Sequence, residues 1–481
     1  MALECKKTRD QVHTFGKTSI RSLSSGFSFK PYATAAKPED EVQIPSPAIF
    51  DFAQNLTDEP VNPRRLPVAA ACATHLELLE VFYVIRQKIL MSKEIDASFV
   101  IQPNRTEKTG YNGDHKTLRD DTLWTRRQVK WPKYLEFAAV RFLHWLRILE
   151  ENKDYMTVVV NGLRMLQYLP PLDILMVWHS FMLNPRLYMD HCQNHILYQI
   201  RMPWKLVHQA IDNRNWALTI DKHASNAYER LTNMPANLFE QFETWHSQPV
   251  PSHEDRIRTL SKFCLEEENQ STIDARLNAA IFSKSSSTRL DGKYFNLFNT
   301  TDTKLAVQLR DAVIRQAEFV DKMSARMWIR SPALEGTLRR GIQRYLNFLT
   351  LLKLYPKGTI VPTLDIDLVW HTHQCTGGAY AKGMKAITGR FVNHDDTIVK
   401  EKLDDGFDKS RGLYKIHFSQ EYRTCGCWDC EALVSELEGV QDREANDVDM
   451  GAIAARVMEE VRFHRAYEVA IRLKKPLPIR N

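Results

Sequence analysis

The chain has 481 residues, 65 Lys and Arg against 59 Asp and Glu for a net charge of +6, 43% apolar residues and 10% aromatic ones. At roughly 150 residues per domain this is a chain of about two to four domains with a sizeable core, and its apolar content excludes a disordered protein. A small charge spread over a sequence that is 26% charged excludes the basic face of an obligate nucleic-acid binder.

In chain order, the first segment carries Arg21, Ser22, Ser24 and Ser25 beside Glu4, Asp10, Glu39 and Asp40, without an apolar stretch of the kind a secretory signal needs. Residues 1–44 are therefore expected to be a disordered tail. Helical periodicity follows over 68–90 and 134–149, and the best short strand candidates are Ser98–Ile101 and Met156–Val160. Pro249, Pro251 and Ser252, then Ser285–Thr288 before Asp291-Gly292, predict a connection over 247–298. Beyond it, Leu305, Leu309, Val313, Gln316, Val320, Met323 and Met327 step by three or four, as do Leu334, Leu338, Ile342, Tyr345, Leu349 and Leu352. These two long helices should pack as a pair. A last amphipathic helix is expected near 449–472, with Pro476 and Pro478 marking a loose end. The fold class is mainly α with minor short β elements: a first helical module over 45–246, a second over 299–440, and a C-terminal helix and tail over 441–481. No apolar run reaches the ~18 residues of a membrane span; Val81–Ile85 runs straight into Arg86, Gln87 and Lys88.

The most informative feature is a repeat. Pro170-Pro171-Leu172-Asp173-Ile174-Leu175-Met176-Val177-Trp178-His179 returns as Pro362-Thr363-Leu364-Asp365-Ile366-Asp367-Leu368-Val369-Trp370-His371, with seven of the ten positions identical. Tyr188 and Tyr380 keep the same offset, and upstream Tyr134-Leu135-Glu136-Phe137 echoes Tyr345-Leu346-Asn347-Phe348. The expectation is an internal duplication of a helical unit.

Pro362 and Thr363 ahead of an apolar run mark a helix start, Pro within the first turn and Thr as the cap. Asp365 and Asp367 then sit where carboxylates complement the positive helix end. Two readings of this helix compete. In one, Asp173, Trp178 and His179, with Asp365, Trp370 and His371, serve packing and hydrogen bonding within each helical hairpin. In the other, the second module holds a metal or catalytic site, since His371-Thr372-His373-Gln374-Cys375 offers imidazole and thiolate. Residues two apart on a helix diverge by about 200°, so His371 and His373 are not expected to share an ion. The stripe Asp367, His371, Cys375 is the better ligand set, and in the first copy its positions are Leu175, His179 and Leu183.

Eight cysteines, five of them scattered singly, make no disulfide framework and suit a reducing, cytoplasmic or nuclear setting. Cys425-Gly426-Cys427-Trp428-Asp429-Cys430 instead concentrates three thiols in six residues. It reads either as a zinc site wanting a fourth ligand, from His417, Cys375, His371, His373 or His394, or as a small turn with reduced or redox-paired sulfurs. His394-Asp395-Asp396 reads as a metal ligand, an acid/base pair or a solvated helix start. Asn62–Arg65 and Arg119–Lys130, with Trp124 and Trp131 flanking Arg126, Arg127 and Lys130, form the basic-aromatic stretch of the chain, read as a loop anchored by its tryptophans in preference to a base-stacking surface. Nucleotide-binding and hydrolase motifs are absent from the sequence.

The second copy from Val361 through Gln374, followed by Tyr380 and Cys425-Gly426-Cys427, resembles the glycine-rich domain-containing protein-like family, over about residues 45 to 435. The resemblance implies a plant or fungal protein of a family first defined as a domain of unknown function, whose plant members are linked to stress and growth responses and to no defined reaction. The chain departs from the family in having 18 Gly without a Gly-rich tail, and in Cys375 where an apolar residue is usual; the RNA-related roles of longer plant members are not carried over. Nor is an iron oxygenase expected, because two His and one carboxylate on a largely β scaffold are not what a helical chain suggests. The function expected is an interaction or regulatory protein with a protein partner and neither membrane nor nucleic acid. The competing class is a metal-dependent enzyme, with zinc or iron, acting on a small molecule in a fungal metabolic pathway.

Overall fold

A computed structural model describes residues 32–35, 37, 41–52, 65–99, 101–104, 106–109, 115–118, 120–244, 294, 297–298, 300–396, 400–440 and 449–480. The principal helices are α1 (Ala69–Met91), α2 (Lys130–Glu151), α3 (Leu172–Met182), α4 (Pro185–Cys192), α5 (Lys222–Thr232), α6 (Thr303–Arg326), α7 (Leu334–Leu354), α8 (Leu364–Gln374), α9 (Gly378–Thr388), α10 (Lys400–Phe418), α11 (Trp428–Val440) and α12 (Met450–Arg472). Strands form only two-stranded sheets among the described residues, so the mainly α class holds. Each long helix expected from periodicity is present within a few residues of its expected ends.

Two compact units divide the chain. One comprises Phe82–Ile200 and Leu218–Ala317; the other comprises Met1–Val81, Arg201–Ala217 and Glu318–Asn481. The first contains the α2–α3 hairpin and the second the α7–α8 hairpin.

In the first unit, α2 is buried all round from Tyr134 to Phe142 and then on the side of Trp145, Ile148 and Leu149, so the one-sided stripe its spacing predicts holds only for its last turns. Between α2 and α3 lies the hairpin β1 (Thr157–Val160) and β2 (Leu163–Leu166), closed by Asn161-Gly162 with φ of 50° and 74°. Asn-Gly suits such a turn because both central residues need positive φ. The expected strand at Met156–Val160 thus begins one residue later, Met156 ending a short helix from Lys153. The other strand candidate, Ser98–Ile101, is not a strand. Ser92 caps a short helix Lys93–Ser98 by accepting from Ile95 N at 3.2 Å, and the amides of Phe99 and Ile101 turn back onto the carbonyl of Asp96; local capping outweighs β propensity here.

In the second unit, α7 buries Leu334, Leu338, Tyr345, Phe348, Leu349 and Leu352. Part of the expected tail belongs to this core: Tyr32, Val42 and Ile44 pack with Phe463, Tyr467 and Leu477, and Ala35 N donates to Leu477 O at 2.8 Å. The C-terminal end after α12 is therefore tied down where a loose end was expected, the Pro476 and Pro478 stretch pairing with the 33–35 backbone. Residues 1–31 lie outside the described residues. So does most of the expected connection over 247–298, though its Tyr294 is fully buried in the first unit.

Candidate functional site

Each hairpin is closed by one arginine. On α2, the fully buried Arg141 donates to Asp173 Oδ2 at the start of α3 (2.7 Å) and to the carbonyls of Pro235 (2.9 Å) and Ala236 (3.1 Å); its guanidinium lies 5.1 Å from the Tyr228 ring of α5. On α7, Arg344 donates to Asp365 Oδ2 at the start of α8 (2.6 Å), to Thr363 Oγ1 (3.1 Å) and to the carbonyls of Glu421 (3.2 Å) and Tyr422 (2.6 Å), and lies 5.4 Å from the Tyr414 ring of α10. Asp173 and Asp365 are thus paired with arginine more than they cap a helix. Thr363 is the N-cap residue, with Pro362 before it, but its side chain makes no capping bond because the hydroxyl receives Arg344.

Ring contacts fix the correspondence further. Trp178 meets Trp145 at 6.1 Å and Trp370 meets Phe348 at 5.3 Å; Phe181 meets Phe142 and His373 meets Tyr345, both at 5.9 Å. The α2 residues matching Tyr345 and Phe348 by contact are therefore Phe142 and Trp145, which replaces the register read from Tyr134 and Phe137. His179 faces Phe82 at 5.4 Å, and His371 faces Phe319 at 4.3 Å.

Around His371 the second hairpin departs from the first. Asp367 and His371 sit one turn apart on α8, and His394 reaches them from the segment after α9; one ligand atom from each lies within 4.8 Å of the others. His371 Nε2 is 3.2 Å from His394 Nε2 and 3.3 Å from Asp367 Oδ1, which is 3.8 Å from His394 Nε2. Asp367 Oδ1 and His371 Nδ1 are both buried without a hydrogen-bond partner among the described residues. Side-chain exposures of 21% for Asp367, 13% for His394 and 2% for His371 give a site buried at its base and open at one rim.

The Trp-His motif and its downstream tyrosine position this group. Trp370 Nε1 donates to Tyr380 Oη (2.8 Å), whose hydroxyl donates to Val392 O (2.9 Å), two residues before His394. The indole also meets the His394 ring edge to face at 5.0 Å. In the first unit Tyr188 Oη likewise donates to Leu197 O (2.9 Å), but the residue two further on is Gln199, and Leu175 stands where Asp367 does.

Burial pushes the His371 imidazole down to about 4, aided by repulsion from His394 and opposed by Asp367. Burial alone would raise the Asp367 carboxyl, but the facing imidazoles of His371 and His394 leave it below its ordinary value. Near neutral pH Asp367 is therefore a carboxylate and His371 a neutral imidazole, the protonation a metal ion requires of these two ligands. His373 points elsewhere: its Nδ1 is 2.9 Å from Tyr345 Oη, and burial brings it down to about 4 as well. The two histidines of the motif therefore do not converge, as helical geometry predicts.

Cys375, expected in the ligand stripe, is fully buried at the end of α8, joins neither of the two convergent ligand groups among the described residues, and has its thiol raised by burial. His394 takes the place assigned to it. The other convergent group is Cys425, Cys427 and Cys430, whose sulfurs lie within 4.8 Å of one another without an imidazole among them; His417 Nε2 is instead 2.7 Å from Tyr355 Oη. In the basic-aromatic stretch Arg127 and Lys130 pair with Asp96, Arg126 pairs with Asp120 and Trp131 is buried, but Trp124 is 47% exposed and Leu123–Arg127 is a short helix, so the expected loop anchored by both tryptophans is not what forms. No helix among the described residues is long and apolar enough to cross a membrane.

The architecture is a mainly helical protein whose second Arg-stapled hairpin carries a buried His/His/Asp centre. Residues 258–383 match the family described as glycine-rich domain-containing protein-like, the family its motifs resemble; Asp367, Trp370, His371 and Tyr380 fall within the match, His394 and the three cysteines beyond it. Glycine-rich domain-containing protein 1 of Arabidopsis thaliana is 26% identical over 301 residues, 61% of this chain and 29% of that protein. Glycine-rich domain-containing protein 2 of the same plant is 24% identical over 301 residues, again 61% of this chain and 30% of the relative. The chain thus matches under a third of the length of these relatives. No solved structure matches it.

Proposed function

We propose that the second unit binds a divalent transition-metal ion through Asp367 Oδ1, His371 Nε2 and His394 Nε2, and that a small molecule takes the positions these three leave open. Two imidazoles and one carboxylate form a donor set for zinc or ferrous iron, and three protein ligands are the mark of a site that keeps room for substrate or water. The observation that carries this reading is the convergence of the three ligand atoms around a buried Asp367 Oδ1 that faces two imidazole nitrogens at 3.3 and 3.8 Å without a well-formed hydrogen bond. Unsatisfied buried carboxylate oxygens are costly, and a cation between them and the two imidazoles would remove that cost. The donor set thus stands on a helix and the segment that follows a second helix, a scaffold the sequence did not suggest for it.

The hairpins themselves are, in this reading, copies of one unit: arginine, aspartate, tryptophan, histidine and tyrosine occupy corresponding places in each, although Trp178 Nε1 has no hydrogen-bond partner among the described residues where Trp370 Nε1 donates to Tyr380; this supports duplication, with the metal site belonging to the second copy alone.

Metal analysis of the purified full chain should find about one equivalent of zinc or iron that is absent from the His394→Ala variant. His394 lies outside the regular helices, so its removal should leave the helical content unchanged. A wild-type protein that binds no divalent ion, or a variant that binds it equally well, would contradict the proposal.

A protein-partner role has its own support in the first unit. Val158, Val159 and Val160 of β1 are 44, 55 and 40% exposed, and a contiguous apolar strand left in water suits a contact surface. Changing Val158 and Val160 to Thr should abolish a partner contact recovered with the wild-type protein.

A further inference from the structure

The three cysteines at the start of α11, Cys425 and Cys427 before it and Cys430 in its first turn, form a second cluster, built from different parts of the same unit and independent of the His/His/Asp centre. Their setting is a rigid one. Gly426 has φ of +65° and approaches the Trp328 ring so closely that an added Cβ would lie 3.2 Å from Cζ2. Trp328 Nε1 donates to Gly426 O (2.7 Å), Arg326 Nη1 donates to Cys425 O (3.0 Å), and Trp428 Nε1 donates to Arg326 O (2.9 Å). Cys427 Sγ accepts from Cys430 N at 3.5 Å, and Glu431 N donates to Cys427 O, so Cys427 closes the N-terminus of α11. The sulfurs are thereby held in order of depth: Cys427 buried, Cys430 half-buried, Cys425 exposed.

We propose that Cys425, Cys427 and Cys430 bind a zinc ion through three thiolates, with water as the fourth ligand. Sulfur atoms within 4.8 Å of one another need to close by less than an ångström or so to reach the edge of a tetrahedron with metal–sulfur bonds of about 2.3 Å. Binding releases the three thiol protons to solvent and forms three sulfur–zinc bonds, leaving the centre with one net negative charge. The surroundings suit that charge: the guanidinium of Arg326 lies behind the loop, and the positive end of the 13-residue helix α11 points at it. A purely apolar turn would not need an exposed thiol, an adjacent arginine and a glycine pressed against an indole to bring its sulfurs together.

The test is cobalt substitution of the reduced full chain. Sulfur coordination gives a near-ultraviolet thiolate-to-cobalt charge-transfer band, which the imidazole and carboxylate ligands of the other centre cannot produce. The band should appear in the wild type, be displaced by zinc, and persist in Asp367→Leu. Cys425→Ser, at the exposed position, should weaken binding about tenfold or more. Zinc should also protect Cys425 and Cys430 of the wild-type protein from alkylation, a readout that needs no variant. Absence of the band in reduced wild-type protein, or equal alkylation with and without zinc, would overturn the proposal while leaving the His/His/Asp site standing.

Discussion

The α2–α3 and α7–α8 hairpins use one set of contacts with two chemistries. Where the first places Phe142, Leu175, Phe181 and Gln199, the second places Tyr345, Asp367, His373 and His394. The apolar version shows that the arginine staple, the indole contact and the tyrosine clamp suffice for a packed hairpin. The polar substitutions of the second therefore do not serve folding; burying Asp367 with two imidazoles costs stability unless something compensates it. On the proposed reading, that contrast assigns the metal site to the second hairpin alone.

The staples offer the largest test of that comparison. Arg141 and Asp173 are 0% and 1% exposed, whereas Arg344 and Asp365 are 11% and 13% exposed. Arg141→Met strands a buried carboxylate and should lower the unfolding free energy by about 3–5 kcal/mol in urea titration. Arg344→Met, where water can reach the acid, should cost roughly 1–3 kcal/mol. Equal losses would mean that the two arginines do not do the same job in settings of different depth.

A pH difference comes next. In the second unit burial raises Glu80 from 4.5 to about 7, against the hydrogen bond that Ser324 donates at 3.0 Å. Because the folded state holds the proton more tightly, the stabilisation is complete below pH 4.5, declines as the pH rises, and is gone above about 7. Glu80→Gln should flatten that decline, gaining at most ~3 kcal/mol at pH 8 relative to the wild type and nothing at pH 4. Thermal melts at the two pH values decide it; a gain that is the same at both would refute the buried acid.

The smallest effect expected is that of making the second hairpin resemble the first at its other polar contact. Tyr345→Phe with His373→Phe recreates the Phe142–Phe181 pair and should change stability by less than about 1.5 kcal/mol, with metal content unaltered. A large loss would show that Tyr345 and His373 are part of the fold.

Much of this was legible in the sequence because it is local. The helices α1, α2, α6, α7 and α12 announce themselves by three-and-four periodicity, and the Asp365 to His371 string by its repetition. What escaped depends on distant residues. Arg141 and Arg344 look like ordinary helix-surface cations until Pro235 and Tyr422 are brought to them; the signal available was their shared place before Phe142-Leu143 and Tyr345-Leu346. His394 was noticed, but nothing local says that the Tyr380–Val392 bond aims it at Asp367, so the i, i+4, i+8 stripe pointed to Cys375 instead. Helical spacing places side chains on a face; it does not say which loop covers that face.

The central claim is tested most directly by Asp367→Leu, which installs the first hairpin's residue in the second. Metal content and urea unfolding should be measured together on the purified full chain without added metal and after loading. The account predicts that the variant stays folded, is at least as stable as the metal-free wild type, and no longer holds the ion at His371 and His394. Undiminished metal binding at those two histidines, or a variant that cannot fold, would contradict it.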